Sequence, residues 1–170
     1  TIMLVGSRLW AQLWVNLSRR EEVVVHRAAI SEPQSVLLIG GAGYIGSSLT
    51  GKLLDEGLRV VVLDKFLFGE APIDKHKEKG NLDLIKGDFR DIDAVVRSMQ
   101  GVESVIHLGG IVGDPSCAVD EQLTIEVNLV ATRTIAEVAK GHGISRFIFA
   151  SSCSVYGESN EVLNEDSKLN

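Results

Sequence analysis

Three groups of residues in this chain have types and spacings suited to chemistry. Gly40, Gly43 and Gly46 follow the apolar run Val36-Leu37-Leu38-Ile39 and lead into amphipathic sequence with Leu49, Leu53 and Leu54 on one side. Asp64 closes a second apolar run, Val60-Val61-Val62-Leu63. Ser151, Ser152 and Ser154 follow a third, Phe147-Ile148-Phe149-Ala150. The glycines read as a tight turn between a buried strand and a helix that opens at Tyr44 and Ile45. Gly40 permits the turn, Gly43 clears space for a pyrophosphate against backbone N–H groups, and Gly46 lets the helix pack on its strand. The first amides of such a helix carry partial positive charge toward an anion.

A glycine triplet alone also serves plain turns. Here a strand precedes it, a helix follows, and an acid lies about 20 residues on, which is the context a dinucleotide site requires. Asp64 is that acid, a carboxylate able to accept from both ribose hydroxyls. It favours NAD over NADP, because a 2′-phosphate would meet like charge; Lys65 and Lys75 temper that preference.

The rest of the chain supplies the elements that must position these groups. From Ser35 the rhythm is strand, helix, strand, helix. Strands are predicted at Arg59–Leu63, Leu82–Ile85, Ser104–His107 and Phe147–Ala150, after the first at Val36–Ile39. Helices are predicted from Asp91 to Met99 and from Asp120 to Lys140. The second has Leu123, Val127, Val130, Ile135 and Val138 on its apolar face and stops at Gly141 and Gly143. Lys65 to Gly80 reads as a polar, solvated loop. Apolar strands alternating with helices imply a doubly wound parallel sheet, covered on both faces, with strand order 3-2-1-4-5.

Ligands of such sheets lie off the carboxyl ends of the strands. The third strand places Asp88 and Phe89 there, suited to the edge and face of adenine; Asp88 equally suits a helix N-cap. The fourth places Leu108, Gly109 and Gly110, small enough for close backbone approach to a cofactor. The fifth places Ser152, either a hydrogen-bond donor to a reacting oxygen or a serine satisfying a strand end.

Composition bounds the rest. The 170 residues suit one domain with its own core, and a formal net charge of -6 without a basic stripe argues against nucleic acid as a partner. Cys117 and Cys153 make neither a disulfide framework nor a zinc motif, which suits a reducing, cytoplasmic setting. His26, His76, His107 and His142 are scattered, and no cluster has metal-ligand spacing. Residues 1–34 stand apart as an N-terminal extension: an amphipathic segment, then a linker closed by Pro33. Leu9, Trp10, Leu13, Trp14 and Leu17 recur at helical spacing. This segment either packs on a protein surface or lies, through residues 2–17, in a membrane surface with Arg19-Arg20 on the aqueous side. A spanning helix needs about 20 apolar residues, and Arg8 would cost roughly 3 kcal/mol near its centre.

Taken together, Gly40-Gly41-Ala42-Gly43-Tyr44-Ile45-Gly46, His107-Leu108-Gly109-Gly110, Asn128 and Ser151-Ser152-Cys153-Ser154-Val155-Tyr156-Gly157 resemble the extended short-chain dehydrogenase/reductase family. Within it they are most similar to the nucleotide-sugar epimerase/dehydratase branch, to which UDP-glucose 4-epimerase belongs. The resemblance runs from Ser35 to the end of the chain. It implies bound NAD, a nucleotide-diphosphate sugar as substrate, and a homodimer for the full-length protein. In epimerases of the branch a sugar carbon gives up a hydride, leaving a keto intermediate, and takes it back on the other face. The position matching the family's active-site serine or threonine is Ser152. By the same carry-over Asn128 supports the active-site backbone or the cofactor; as a residue it equally fits a plain helix face.

The departures are informative. The family's Tyr-x-x-x-Lys pair is absent: Ser48 stands four residues after Tyr44 and Asn160 four after Tyr156. The resemblance would put that pair beyond Asn170, so the chain is expected to be the N-terminal piece of a longer enzyme, without the last strands and the sugar-binding lobe, and inactive alone. The 4,6-dehydratases of the branch carry Thr-Asp-Glu where this chain has Ser152-Cys153-Ser154, so elimination of water is not expected. His107-Leu108-Gly109-Gly110 replaces the commoner His-x-Ala-Ala, a small-for-small change. Beside epimerization, a non-catalytic dinucleotide-binding module and another reaction on a nucleotide sugar stay open.

Overall fold

A computed structural model describes residues 34–169. The segment 1–33, with its expected amphipathic helix, lies outside the described residues. Five parallel strands form one sheet: β1 (Ser35–Ile39), β2 (Arg59–Asp64), β3 (Leu82–Lys86), β4 (Ser104–His107) and β5 (Arg146–Phe149). Their order is β3-β2-β1-β4-β5, as the alternation of strands and helices predicts. β1 is central and buried at every position, since it is flanked on both edges and covered on both faces.

The helices are α1 (Tyr44–Asp55), α2 (Ala71–Asp74), α3 (Ile92–Ser98), α4 (Asp114–Val119), α5 (Glu121–Ile125) and α6 (Thr132–Gly141). Side chains alternate across the sheet. Leu37, Ile39, Val61, Leu63 and Val105 pack with Val95 and Met99 of the α3 region and Ile135 of α6. Leu38, Val60 and Val62 pack on the other face with Leu54 of α1 and Ile73 of α2. Among the described residues no helix is long and apolar enough to cross a membrane.

Two expectations need correction, and one helix is added where none was predicted. The polar stretch 65–80 is not a solvated loop throughout, because α2 folds within it and buries Ile73 completely against α1 and the sheet. Residues 114–119 form a helix that has no buried residue, so no apolar periodicity marks it. The long helix after Asp120 is interrupted by a π-helical stretch, Glu126–Ala131. Its wider turns shift the helical phase. The buried line therefore falls on Ala131, Ile135 and Ala139, and Val130, expected in the core, is 53% exposed.

Candidate functional site

Every strand of this sheet ends toward the same side, and the backbone there is tied edge to edge. Gly40 N–H donates to Leu63 O (2.9 Å), Leu108 N–H to Ile39 O (2.9 Å), Gly87 N–H to Asp64 O (2.9 Å) and Ala150 N–H to His107 O (3.1 Å). The chain leaves β1 at Gly40 with φ +81°, a conformation that L side chains rarely adopt. A Cβ at Gly40 would lie 2.8 Å from Gly109 N, so the first turn and the loop after β4 touch backbone to backbone.

At Gly46 a Cβ would collide with Gly40 O and lie 2.7 Å from Gly41 Cα, which is how α1 comes to rest on its own turn. Thr50, fully buried one turn later, has its Oγ1 2.9 Å from Gly46 O within α1 and 3.4 Å from Gly41 O, the contact that reaches from the helix to the turn. A Cβ at Gly43 would have only Gly40 O nearby, at 3.3 Å, and otherwise open space. The first-turn amides of α1, at Tyr44, Ile45 and Gly46, have no intrahelical acceptor. Tyr44 and Ile45 turn their side chains outward, 97% and 65% exposed. The turn opens on the cleft at Gly40 and Gly43, directly before these first-turn amides, a fit for a diphosphate.

Asp64 faces the same cleft and is built into its wall. Its Oδ2 accepts from Ala42 N–H at 2.9 Å and its Oδ1 from Phe66 N–H at 2.7 Å. Phe66 has φ +56°, costly for an aromatic residue, and the carboxylate helps hold that turn. Each oxygen keeps a lone pair for a ligand hydroxyl.

Gly40, Gly43, Asp64, Phe89, Leu108, Gly109 and Gly110 line one cleft. Leu108, Gly109 and Gly110 also wall a second cavity, shared with Asn128 and Ser152. Thus of the residues singled out in the sequence, all but Tyr44, Ile45, Gly46 and Asp88 line one or both of two adjoining cavities. Gly46 instead sits beneath the turn. Asp88 lines a neighbouring hollow with Phe89 and Gly110, and there its carboxylate receives Lys65 Nζ at 3.1 Å and Arg90 Nη2 at 2.7 Å. The Arg90 guanidinium, with Lys65 behind it, holds the Asp88 carboxyl well below the usual carboxylate range. The N-cap alternative for Asp88 falls to Asp91, whose side chain accepts from Asp93 N–H at the head of α3. Phe89 lies directly under Gly109, where a Cβ would be 2.6 Å from its ring.

Asn128 sits in the π-helical stretch and clamps the loop between the cavities. Its Oδ1 accepts from Ile111 N–H at 2.8 Å and its Nδ2 donates to Ile111 O at 2.7 Å. Both amide groups are thereby spent on backbone, so the plain helix-face alternative does not describe it. Ser152 precedes a single 3-10 turn, Cys153–Tyr156, and its Oγ accepts from Ser154 N–H at 3.1 Å. Accepting there leaves the hydroxyl hydrogen free to donate into the cavity.

Sequence reasoning missed the parts that hold these groups. Thr50 carried no signal beyond its place in a helix. His107 is fully buried between Phe89 and Phe149, with ring centroids 5.3 and 5.5 Å away. Its Nε2 lies 3.0 Å from Thr132 Oγ1, its Nδ1 has no partner among the described residues, and burial pushes its pKa down to about 4. No group of His, Cys, Asp and Glu among the described residues is arranged to hold a metal ion.

Comparison with known proteins converges on one family. The chain is 38% identical over 145 residues to UDP-glucose 4-epimerase 1 of Oryza sativa subsp. japonica, covering 80% of this chain and 41% of that protein. Its fold matches the crystal structure of UDP-glucose 4-epimerase from Thermus thermophilus in complex with NAD, with TM-score 0.72 and 30% identity over 80% of this chain and 44% of that one. It also matches a dTDP-glucose 4,6-dehydratase from Streptomyces venezuelae, with TM-score 0.74 and 26% identity over 80% of this chain and 45% of that one. The chain therefore spans about two fifths of the length of these relatives. The profile of the NAD dependent epimerase/dehydratase family matches residues 36–170, from the first residues of β1 through both cavities, and the chain belongs to that family.

Proposed function

We propose that this chain binds NAD across the glycine turn and Asp64, as the cofactor half of a nucleotide-sugar 4-epimerase. The observation that carries the reading is the pairing of the glycine turn that opens α1 with a carboxylate one strand away, Gly40, Gly43 and Asp64 lining one cleft. NAD bound in that cleft would supply the hydride acceptor and donor that 4-epimerization of a sugar requires. The chain's own residues do the rest. Backbone N–H groups of Tyr44, Ile45 and Gly46 hold the diphosphate, and Asp64 accepts from the adenosine ribose hydroxyls. Asn128 fixes the loop that separates the cofactor cleft from the reacting cavity. Ser152 donates to the oxygen that becomes a carbonyl in the 4-keto-sugar, steadying negative charge without taking the proton.

The fold is shared with a 4,6-dehydratase and does not choose between the two reactions. Ser152-Cys153-Ser154 favours the epimerase, since it offers no carboxyl group to protonate a leaving hydroxyl. Proton transfer from the sugar hydroxyl needs a base that neither Tyr44 nor Tyr156 supplies with a lysine four residues on. A second reading is a dinucleotide-binding module without catalysis. Titration of the gene's full product with NAD, followed by incubation with UDP-glucose, separates them. Binding with interconversion of the 4-epimers supports the first, binding without turnover of any nucleotide sugar supports the second, and no binding refutes both.

A further inference from the structure

A charge arrangement beside the ribose wall bears on which dinucleotide the cleft accepts, and the inference rests on the NAD reading above. Lys65 follows Asp64 directly and lines the same cleft. Arg90 stands on the far side of the neighbouring hollow with Lys65, Asp88 and Phe89. Lys65 and Arg90 are the cationic residues that line these two hollows, and so the ones open to recruitment by a phosphate on the adenosine ribose. Both are already held by one carboxylate. Asp88 Oδ2 receives Lys65 Nζ at 3.1 Å, Arg90 Nη2 at 2.7 Å and Arg90 Nε at 3.0 Å. Asp88 Oδ1 receives Arg90 N–H at 2.9 Å and Arg90 Nε at 3.2 Å. Arg90 Nη1 also lies 3.6 Å from Glu126 Oε2.

The hollows on this side carry Asp64, Asp88, Asp91 and Glu126 against Lys65 and Arg90, an excess of negative charge. The Asp88 side chain is 25% exposed, so its ion pairs are less screened than those of an open surface. A 2′-phosphate adds between one and two further negative charges. To bind, it must also compete with Asp88 for Lys65 or Arg90.

We propose that Asp88 is a specificity-determining residue: by occupying Lys65 and Arg90 it excludes NADP, in concert with the direct repulsion from Asp64. The choice of cofactor is then a property of two carboxylates, and changing Asp64 alone leaves half of the discrimination in place.

The test is competitive titration of the gene's full product with NAD and NADP, reading the ratio of their affinities. The ratio cancels anything Asp88 contributes to adenine, which both dinucleotides share. Asp88→Asn is expected to shift the ratio toward NADP by about tenfold, the effect of one charge interaction of about 1.4 kcal/mol. Raising the salt concentration should shrink that gain. Lys65→Gln with Arg90→Gln should abolish the gain in the Asp88→Asn background and leave the ratio of the otherwise unchanged protein alone. An unchanged ratio in Asp88→Asn, with NAD still bound, overturns the proposal. So does selective loss of NADP binding when the two cations are replaced with Asp88 intact, because they would then already be serving a phosphate. If the unaltered protein binds neither dinucleotide, the cofactor reading itself fails.

Discussion

The two ends of the candidate site are built differently. At the glycine turn the tightest contacts are backbone to backbone, and β1, which feeds it, has no exposed residue. At Ser152 the preceding strand, β5, is exposed throughout, with Phe147, Ile148 and Phe149 at 36%, 53% and 45%. The cofactor end is therefore fixed by the same atoms that hold the domain together. The serine end follows a strand whose described neighbour is β4 alone and which contributes little to the described core. Substitutions at the first should cost folding and binding together, whereas at the second they should cost chemistry alone.

The largest expected effect breaks the first end. Gly46→Val drives two methyl groups into Gly40 O and Gly41, where even a Cβ is too close. Backbone cannot yield as a side chain can, so a loss of at least about 3 kcal/mol of stability is expected, together with NAD binding. Urea unfolding and calorimetry check it; an unaltered unfolding midpoint would mean that α1 does not sit on its turn.

Ser152→Ala is the counterpart at the other end. Turnover of the gene's full product should fall by about 100-fold, the usual effect of removing one donor to a developing oxyanion. NAD affinity and the unfolding midpoint should stay as they were. A parallel loss of stability would erase the contrast between the two ends.

Asp64→Asn sharpens the comparison, because it is expected to act on both ligand and fold. NAD should bind more weakly by about 1.5–3 kcal/mol, the range for hydrogen bonds to a charged group. The amide of asparagine accepts through one oxygen only, so either Ala42 N–H or Phe66 N–H loses its partner, and stability should drop as well. Calorimetry and thermal unfolding on the same variant separate the two losses.

The smallest effect concerns the residue between the ends. His107 is stacked on Phe149 of β5 and edge-on to Phe89 after β3. Its folded pKa of about 4 lies below the unfolded value of 6.5, so the unfolded chain binds the proton more readily. Its stability contribution is complete above pH 6.5 and is lost as pH falls toward 4. Between about pH 7 and 5 the loss should be about 2 kcal/mol. His76, also depressed by burial beside Lys75 and Lys79, adds in the same direction. His107→Gln, which can still reach Thr132, should flatten the dependence by His107's share. An identical pH profile in the variant would show that His107 does not titrate on unfolding.

Legibility in the sequence followed the same division. The glycine turn, Asp64 and the strand order could be read because buried parallel strands are continuous apolar runs and a phosphate turn admits few residue types. The π-helical stretch could not, since the clamp it carries joins Asn128 to Ile111, 17 residues apart and outside any local pattern; Val130 was misplaced as a result. α2 was hidden because its polar neighbours outnumber Ile73, the one residue it buries. The ion pairs on Asp88 join Lys65 to Arg90 across two strands, a contact that only the register of β2 against β3 creates.

The most direct test of the whole is a crystal structure of the gene's full product grown with NAD. The diphosphate should lie against the amides of Tyr44, Ile45 and Gly46, with an Asp64 oxygen at hydrogen-bond distance from the adenosine ribose hydroxyls. A dinucleotide bound elsewhere, or one whose ribose leaves Asp64 untouched, would contradict the account.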